Sequence, residues 1–245
     1  MPKLVDLSDM QEHRIPASAF QFSAVKPEVL GATEYTLVTV ALDVSGSVKS
    51  FAGDLIATLQ AAVAACKKSP KSENILLRVI TFNQTVAEIH GFLPLDGLDP
   101  AAYSLAACTG GTALFDAVYS SVGAARAYAD ILIRQDYAVN AIGFIITDGE
   151  DNASSLSADA IRQLTAGLLQ TEQLSLLTVL VGVNSTQCGR YLKNFQTHAG
   201  LDQYIDLGDV SAAKLAKLGG FISRSVSSQS QAIGGPAPQL NDLTF

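Results

Sequence analysis

Residues 138–147 read "AVNAIGFIIT", a nearly continuous apolar run that fits a strand buried on both faces in the middle of a parallel sheet. Such a strand requires helices above and below it, so it constrains the chain to a layered α/β architecture. The flanking sequence supplies the other layers. "YTLVTVAL" from Tyr35 is a strand, after which Phe51, Leu55, Ile56, Leu59, Ala62, Val63 and Cys66 recur at helical spacing. "ILLRVITF" is a second strand, and "TVAEIHGFLPL" a third that returns beside it through the short Asn83-Gln84 connection. Helices follow at about Ala113–Ala129, Ala158–Gln170, Gln187–His198 and Ala212–Ser227, with strands "LSLLTVLVGV" and "QYIDL" among them. The expected fold class is α/β and doubly wound, with a mostly parallel central sheet, helices on both faces and one antiparallel edge strand.

The 245 residues suffice for one large domain with a substantial core. Residues 1–30 carry Pro2, Pro16 and Pro27 and little period, and read as an irregular N-terminal arm with room for an edge strand at "AFQFSAV". The α/β domain is expected over residues 31–228. Residues 229–245 lack any period and read as a flexible tail whose terminal "LTF" is free to dock on the domain.

Several function classes find no support. No apolar run approaches the roughly 20 residues that a membrane-spanning helix needs, and "MPKLVDLSDMQEHRIP" lacks the apolar core of a secretory signal, so the chain is expected in the cytoplasm. A formal net charge of −7 disfavours attraction to nucleic acid or an anionic membrane. Cys66, Cys108 and Cys188 are odd in number and widely separated, which fits reduced core residues in a reducing compartment. His13, His90 and His198 have no neighbours at zinc spacing.

Three polar clusters, "DVSGS", "TGGT" and "TDGED", stand at strand ends or helix starts. In open α/β sheets the loops at the carboxyl ends of the strands gather at one edge, where ligands bind. Asp43, Ser45, Ser47, Thr112 and Asp148 can therefore share one site. Carboxylate and hydroxyl oxygens suit magnesium; manganese accepts the same donors, and calcium would recruit more carboxylates. Each cluster also has a structural reading. Ser47 or Ser50 can cap the following helix, Thr112 sits at an N-cap position, and Asp148-Gly149 is a common turn pair. A D-x-S-x-S string alone is a weak signal; three clusters in order, each after its expected element, are a stronger one.

"DVSGSV", "TGGTALFDAV" and "ITDGEDN" resemble the three segments of the von Willebrand factor type A domain, whose metal-ion-dependent adhesion site follows the pattern D-x-S-x-S, then Thr, then Asp. The resemblance covers roughly residues 35–228 and is nearest to the intracellular bacterial members. It implies a Rossmann-like fold. It further implies that Asp43, Ser45, Ser47, Thr112 and Asp148 hold a divalent cation directly or through water, and that Ser45, Gly111, Thr112, Gly149 and Glu150 face a partner protein. The open position on the metal is then filled by a partner's Glu or Asp. Members inside cells often work beside AAA+ ATPases or in stress-response and defence systems, and that is the setting the resemblance implies here. Glu150 and Asp151 read as a solvated acidic rim rather than as a second cation site.

The competing class is a magnesium-dependent phosphoryl-transfer hydrolase. Such an enzyme places an acidic residue two positions after its nucleophilic aspartate, and here that position is Ser45. The chain has no G-x-x-x-x-G-K-[ST] loop, no G-x-S-x-G elbow and no His near the clusters, so the expectation is an interaction domain and not an enzyme. A third reading makes the metal site incidental to a scaffold that binds through its arm or tail.

Overall fold

The computed structural model describes residues 7–104, 107–168 and 174–233. Its strands are β1 (Met10–Arg14), β2 (Gln21–Val25), β3 (Glu34–Asp43), β4 (Ile75–Phe82), β5 (Val86–Pro94), β6 (Ala138–Thr147), β7 (Ser175–Gly182) and β8 (Gln203–Asp206). They form one sheet in the order β1-β2-β5-β4-β3-β6-β7-β8. The helices are α1 (Ala52–Cys66), α2 (Leu114–Ile133), α3 (Ala158–Leu168), α4 (Gly189–Ala199) and α5 (Ala212–Gln231). Strands β4, β3, β6, β7 and β8 run parallel, and β5 is antiparallel to β4.

The alternation along the central strands shows why both faces need cover. On β3, Leu37 and Ala41 join one apolar cluster with α2, α3 and α4, whereas Val38, Val40 and Leu42 join another with α1 and α5. On β6, Ala141 and Ile145 face the first cluster, and Ile142, Phe144 and Ile146 the second. A strand apolar at every position is thus a strand between two cores. Among the described residues no helix is long and apolar enough to cross a membrane.

The N-terminal segment departs from the irregular arm expected over residues 1–30. Residues 10–25 form an antiparallel hairpin whose β2 runs parallel to β5, so the hairpin extends the sheet beyond the antiparallel strand. Ile15, Phe22, Ala24 and Val25 are buried in the core. β2 falls on the strand expected at "AFQFSAV"; β1 hides in the sequence because it is an edge strand with Gln11, Glu12 and Arg14 exposed, and "MQEHR" shows no apolar run. His13 stacks on Phe22 with centroids 5.1 Å apart, and its Nε2 is buried without a hydrogen-bond partner. Burial pushes the His13 pKa down. The neutral ring is therefore the form that folds, and its contribution is present above the ordinary histidine pKa of about 6.5 and lost as pH falls through the lower folded value. Urea unfolding at pH 7 and pH 5 should show less stability at pH 5, and His13→Phe should shrink that difference.

The far end of the chain also departs from expectation. Helix α5 continues to Gln231, past the tail boundary expected at 229. Gln229 is fully buried, with Nε2 donating to the carbonyls of Ala141 at 3.1 Å and Ser175 at 3.2 Å. A buried glutamine that satisfies strand carbonyls reads as polar tail in the sequence because its partners are distant. The rest of the expected tail, 234–245 with its "LTF", lies outside the described residues.

Candidate metal centre

Parallel strands β3 and β6 are neighbours and end together, so the loops after Asp43 and after Thr147 lie side by side at the carboxyl edge. Asp43 is fully buried; its Oδ1 accepts from the Ser45 backbone N–H at 2.8 Å and its Oδ2 from the Thr147 hydroxyl at 2.6 Å. Ser47 Oγ donates to Asp148 Oδ1 at 2.7 Å and lies 3.1 Å from Ser45 Oγ. The single Ser47 hydrogen is used on Asp148, so Ser45 donates to Ser47. Asp43, Ser45, Ser47 and Asp148 thus meet as one polar group.

The third loop is drawn in by its main chain. Thr109 N–H donates to the Val44 carbonyl at 3.0 Å, Gly46 N–H to the Gly110 carbonyl at 3.1 Å, and Ala113 N–H to the Asn83 carbonyl at 2.6 Å. Gly110 takes φ 81°, a left-handed conformation that favours glycine. Thr112 is 4% exposed, and its hydroxyl makes no hydrogen bond to any described residue. A Cβ placed on Gly149 would lie 3.5 Å from Thr112 Oγ1, so that hydroxyl sits against the residue that follows Asp148.

The capping roles open to these residues are not taken up. The N-cap of α1 is Phe51 and that of α2 is Ala113, neither with a side-chain cap, and Ser45 makes no cap bond to the short helical turn Gly46–Ser50. Burial holds the Asp43 carboxyl above its ordinary pKa against the hydrogen bonds from Ser45 and Thr147, and the Asp148 charge adds to the rise. Burial also raises Asp148, with the Ser47 bond opposing. Two carboxylates whose charge burial disfavours and three hydroxyls, one of them without a hydrogen bond to any described residue, form an oxygen-only donor set that fits a hard divalent cation. Among the described residues no three His, Cys, Asp or Glu side chains group to hold a metal, so an ion here relies on the hydroxyls.

Of the residues expected to face a partner, Ser45 and Thr112 are buried, Gly111 and Gly149 are half-buried, and Glu150 is exposed. Asp151 departs from the solvated rim. Its Oδ1 accepts the Phe115 N–H at 3.2 Å and the Ser154 hydroxyl, while Ser154 Oγ accepts the Asp116 N–H at 3.1 Å. Asp116 replies by accepting the N–H groups of Ser155 and Leu156, both at 2.9 Å. The loop after β6 therefore caps α2 from outside, and the unpaired N–H groups of that helix end are satisfied by side chains far away in sequence. Sequence reasoning also missed Thr147, which orients Asp43, and Cys188, whose thiol donates to the Asp148 carbonyl at 3.2 Å. All three cysteines are free and buried.

The fold is von Willebrand factor type A-like. No protein-family model matches the chain, and no curated protein matches it by sequence. Solved structures do. The pilus adhesin SpaC from Lactobacillus rhamnosus GG, in its open conformation, is similar at TM-score 0.61 and 10% identity over 86% of this chain and 32% of the adhesin. The PilB minor pilin from Streptococcus sanguinis is similar at TM-score 0.59 and 13% identity, over 84% of this chain and 64% of the pilin. Proximal thread matrix protein 1 from the mussel byssus, with a zinc-occupied MIDAS motif, is similar at TM-score 0.52 and 14% identity, over 78% and 48%. The chain thus spans about a third of the adhesin, half of the byssus protein and under two thirds of the pilin.

Proposed function

We propose that this chain is a metal-dependent protein-interaction module, in which Asp43, Ser45, Ser47, Thr112 and Asp148 hold a divalent cation that docks an acidic residue of a partner protein. The observation that carries the reading is the orientation of the hydroxyls. Ser47 turns to Asp148 and Ser45 to Ser47 instead of capping a helix, and the Thr112 hydroxyl, against the residue that follows Asp148, makes no hydrogen bond to any described residue. Asp43 and Asp148 bind and balance the charge of the ion, and the neutral hydroxyls bind it without quenching it. A bound ion supplies one open position, for which a carboxylate is the best incoming donor.

The zinc in the byssus protein's MIDAS motif supports a divalent cation here. The all-oxygen set favours magnesium, with manganese or calcium as alternates. The resemblance to intracellular bacterial members supports a cytoplasmic multiprotein system, with an AAA+ ATPase among the candidate partners. The net charge of −7 argues against nucleic acid or membrane as the ligand.

The hydrolase reading lacks a base. His90 is held between the Gly91 carbonyl at 2.8 Å and the Tyr103 hydroxyl at 2.7 Å, His13 lies in the hairpin's aromatic cluster, and His198 pairs with Asp159 at 3.0 Å. Once a partner is in hand, Thr112→Ala and the amide replacement of the partner's acidic residue should each weaken the complex about tenfold. Together they should do less than the product of the two, because both break one contact. A complex that forms equally well in chelator would move the interface away from the metal centre.

A further inference from the structure

Thr112 brings a hydroxyl to the centre, yet among the described residues that hydroxyl makes no hydrogen bond that would hold it. The position of Thr112 is set through its main chain, and the residue that sets it is Asn152. Asn152 Oδ1 accepts the Thr112 N–H at 2.8 Å, and the N–H groups of Asn152 and Ala153 donate to the Thr112 carbonyl at 3.0 and 3.2 Å. An independent observation lies at Gly111. A Cβ there would fall 2.5 Å from Asn152 Oδ1, so a side chain at 111 would displace the amide. Gly110 is the glycine that takes a left-handed φ, and Gly111 does not. The second glycine of "TGGT" is therefore explained by the close approach of Asn152 and not by backbone conformation.

Asn152 belongs to the same loop as Asp148. By clamping Thr112 it ties the spacing of two proposed ligands that come from different parts of the chain. We propose that Asn152 is a positioning residue that sets the cation affinity of the centre by fixing Thr112 relative to Asp148, and that Gly111 is required to admit its amide. This inference rests on the metal-binding reading above. Residues that orient metal ligands are worth roughly tenfold or more in metal affinity. Asn152 is exposed, so its replacement leaves the core untouched.

The test is calorimetric titration of the full chain with magnesium chloride. Asn152→Ala should bind about tenfold more weakly than wild type with an unchanged far-UV spectrum. Asn152→Asp, which keeps an acceptor oxygen, should recover most of the affinity, and Gly111→Ala should behave like Asn152→Ala. In a Thr112→Ala background, Asn152→Ala should cost little more, because its effect runs through Thr112. Equal affinity of Asn152→Ala and wild type overturns the inference while leaving the metal site standing. An undiminished loss in the Thr112→Ala background also overturns it, since Asn152 would then act by another route. A wild-type chain that takes up no magnesium removes the metal reading itself, and this inference with it.

Discussion

Asp43→Ala is expected to abolish calorimetrically measurable magnesium binding while the far-UV spectrum and cooperative unfolding remain those of the wild type. In the proposed site Asp43 would supply one of the two charges that balance the ion, beside three neutral hydroxyls and Asp148. Removing half the negative charge from a site that is mostly neutral leaves little to offset the dehydration of magnesium, which gives up its waters reluctantly. The fold should survive for a separate reason. Burial disfavours the Asp43 charge, so its loss relieves a desolvation cost that counters the two hydrogen bonds lost from Ser45 and Thr147. The two apolar clusters that cover the sheet do not include Asp43. Magnesium binding by Asp43→Ala at wild-type affinity would remove Asp43 from the site.

Glu88→Ala should destabilise the domain by about 2 kcal/mol in urea denaturation, between the values for a surface and a buried pair, because Arg78 is buried while the Glu88 side chain is 23% exposed. Arg78 lies inside β4 with its side chain 1% exposed, and its Nε donates to Glu88 Oε2 at 2.6 Å. The rest of the guanidinium reaches the Ser120 carbonyl and hydroxyl, both at 3.3 Å. Without Glu88 a buried cation faces only neutral acceptors. Glu88 Oε1 also accepts the Ser23 N–H at 3.0 Å and its hydroxyl at 2.5 Å, so the same change loosens the N-terminal hairpin. The double replacement Arg78→Met with Glu88→Leu should recover much of the loss, because it removes the stranded charge together with its partner. A loss below about 1 kcal/mol for Glu88→Ala would show that water reaches Arg78 and that the pair contributes no more than a surface one.

The strands that were plainest in the sequence are those buried on both faces. "AVNAIGFIIT" and "ILLRVITF" coincide with β6 and β4 residue for residue, because a strand between two cores is apolar on both sides, buried exceptions such as Asn140 and Arg78 aside. Helix ends were less legible. Helix α2 runs to Ile133, beyond the expected Ala129, and α5 to Gln231, since its last turn is buried through polar side chains that carry no apolar period. The five candidate ligands could be picked out because each cluster interrupts an apolar element with side-chain oxygens at a strand end or helix start. Their supporting residues could not. Nothing in "TDGEDN" distinguishes an aspartate that caps a remote helix from one on a solvated rim, and nothing in "VNSTQCG" marks Cys188 as a donor to Asp148.

By itself the sequence determined the order of strands and helices from β3 onward and which loops carry oxygen donors, because periodicity and polarity are local properties that burial imprints residue by residue. The tertiary structure alone decided that residues 10–25 extend the sheet past β5, that Arg78 finds Glu88, and that Asn152 grips Thr112. Those pairings depend on strand order and loop proximity, and one hydrophobic pattern is compatible with several strand orders. A hydrogen-bond partner is selected by distance in space, which no local pattern encodes.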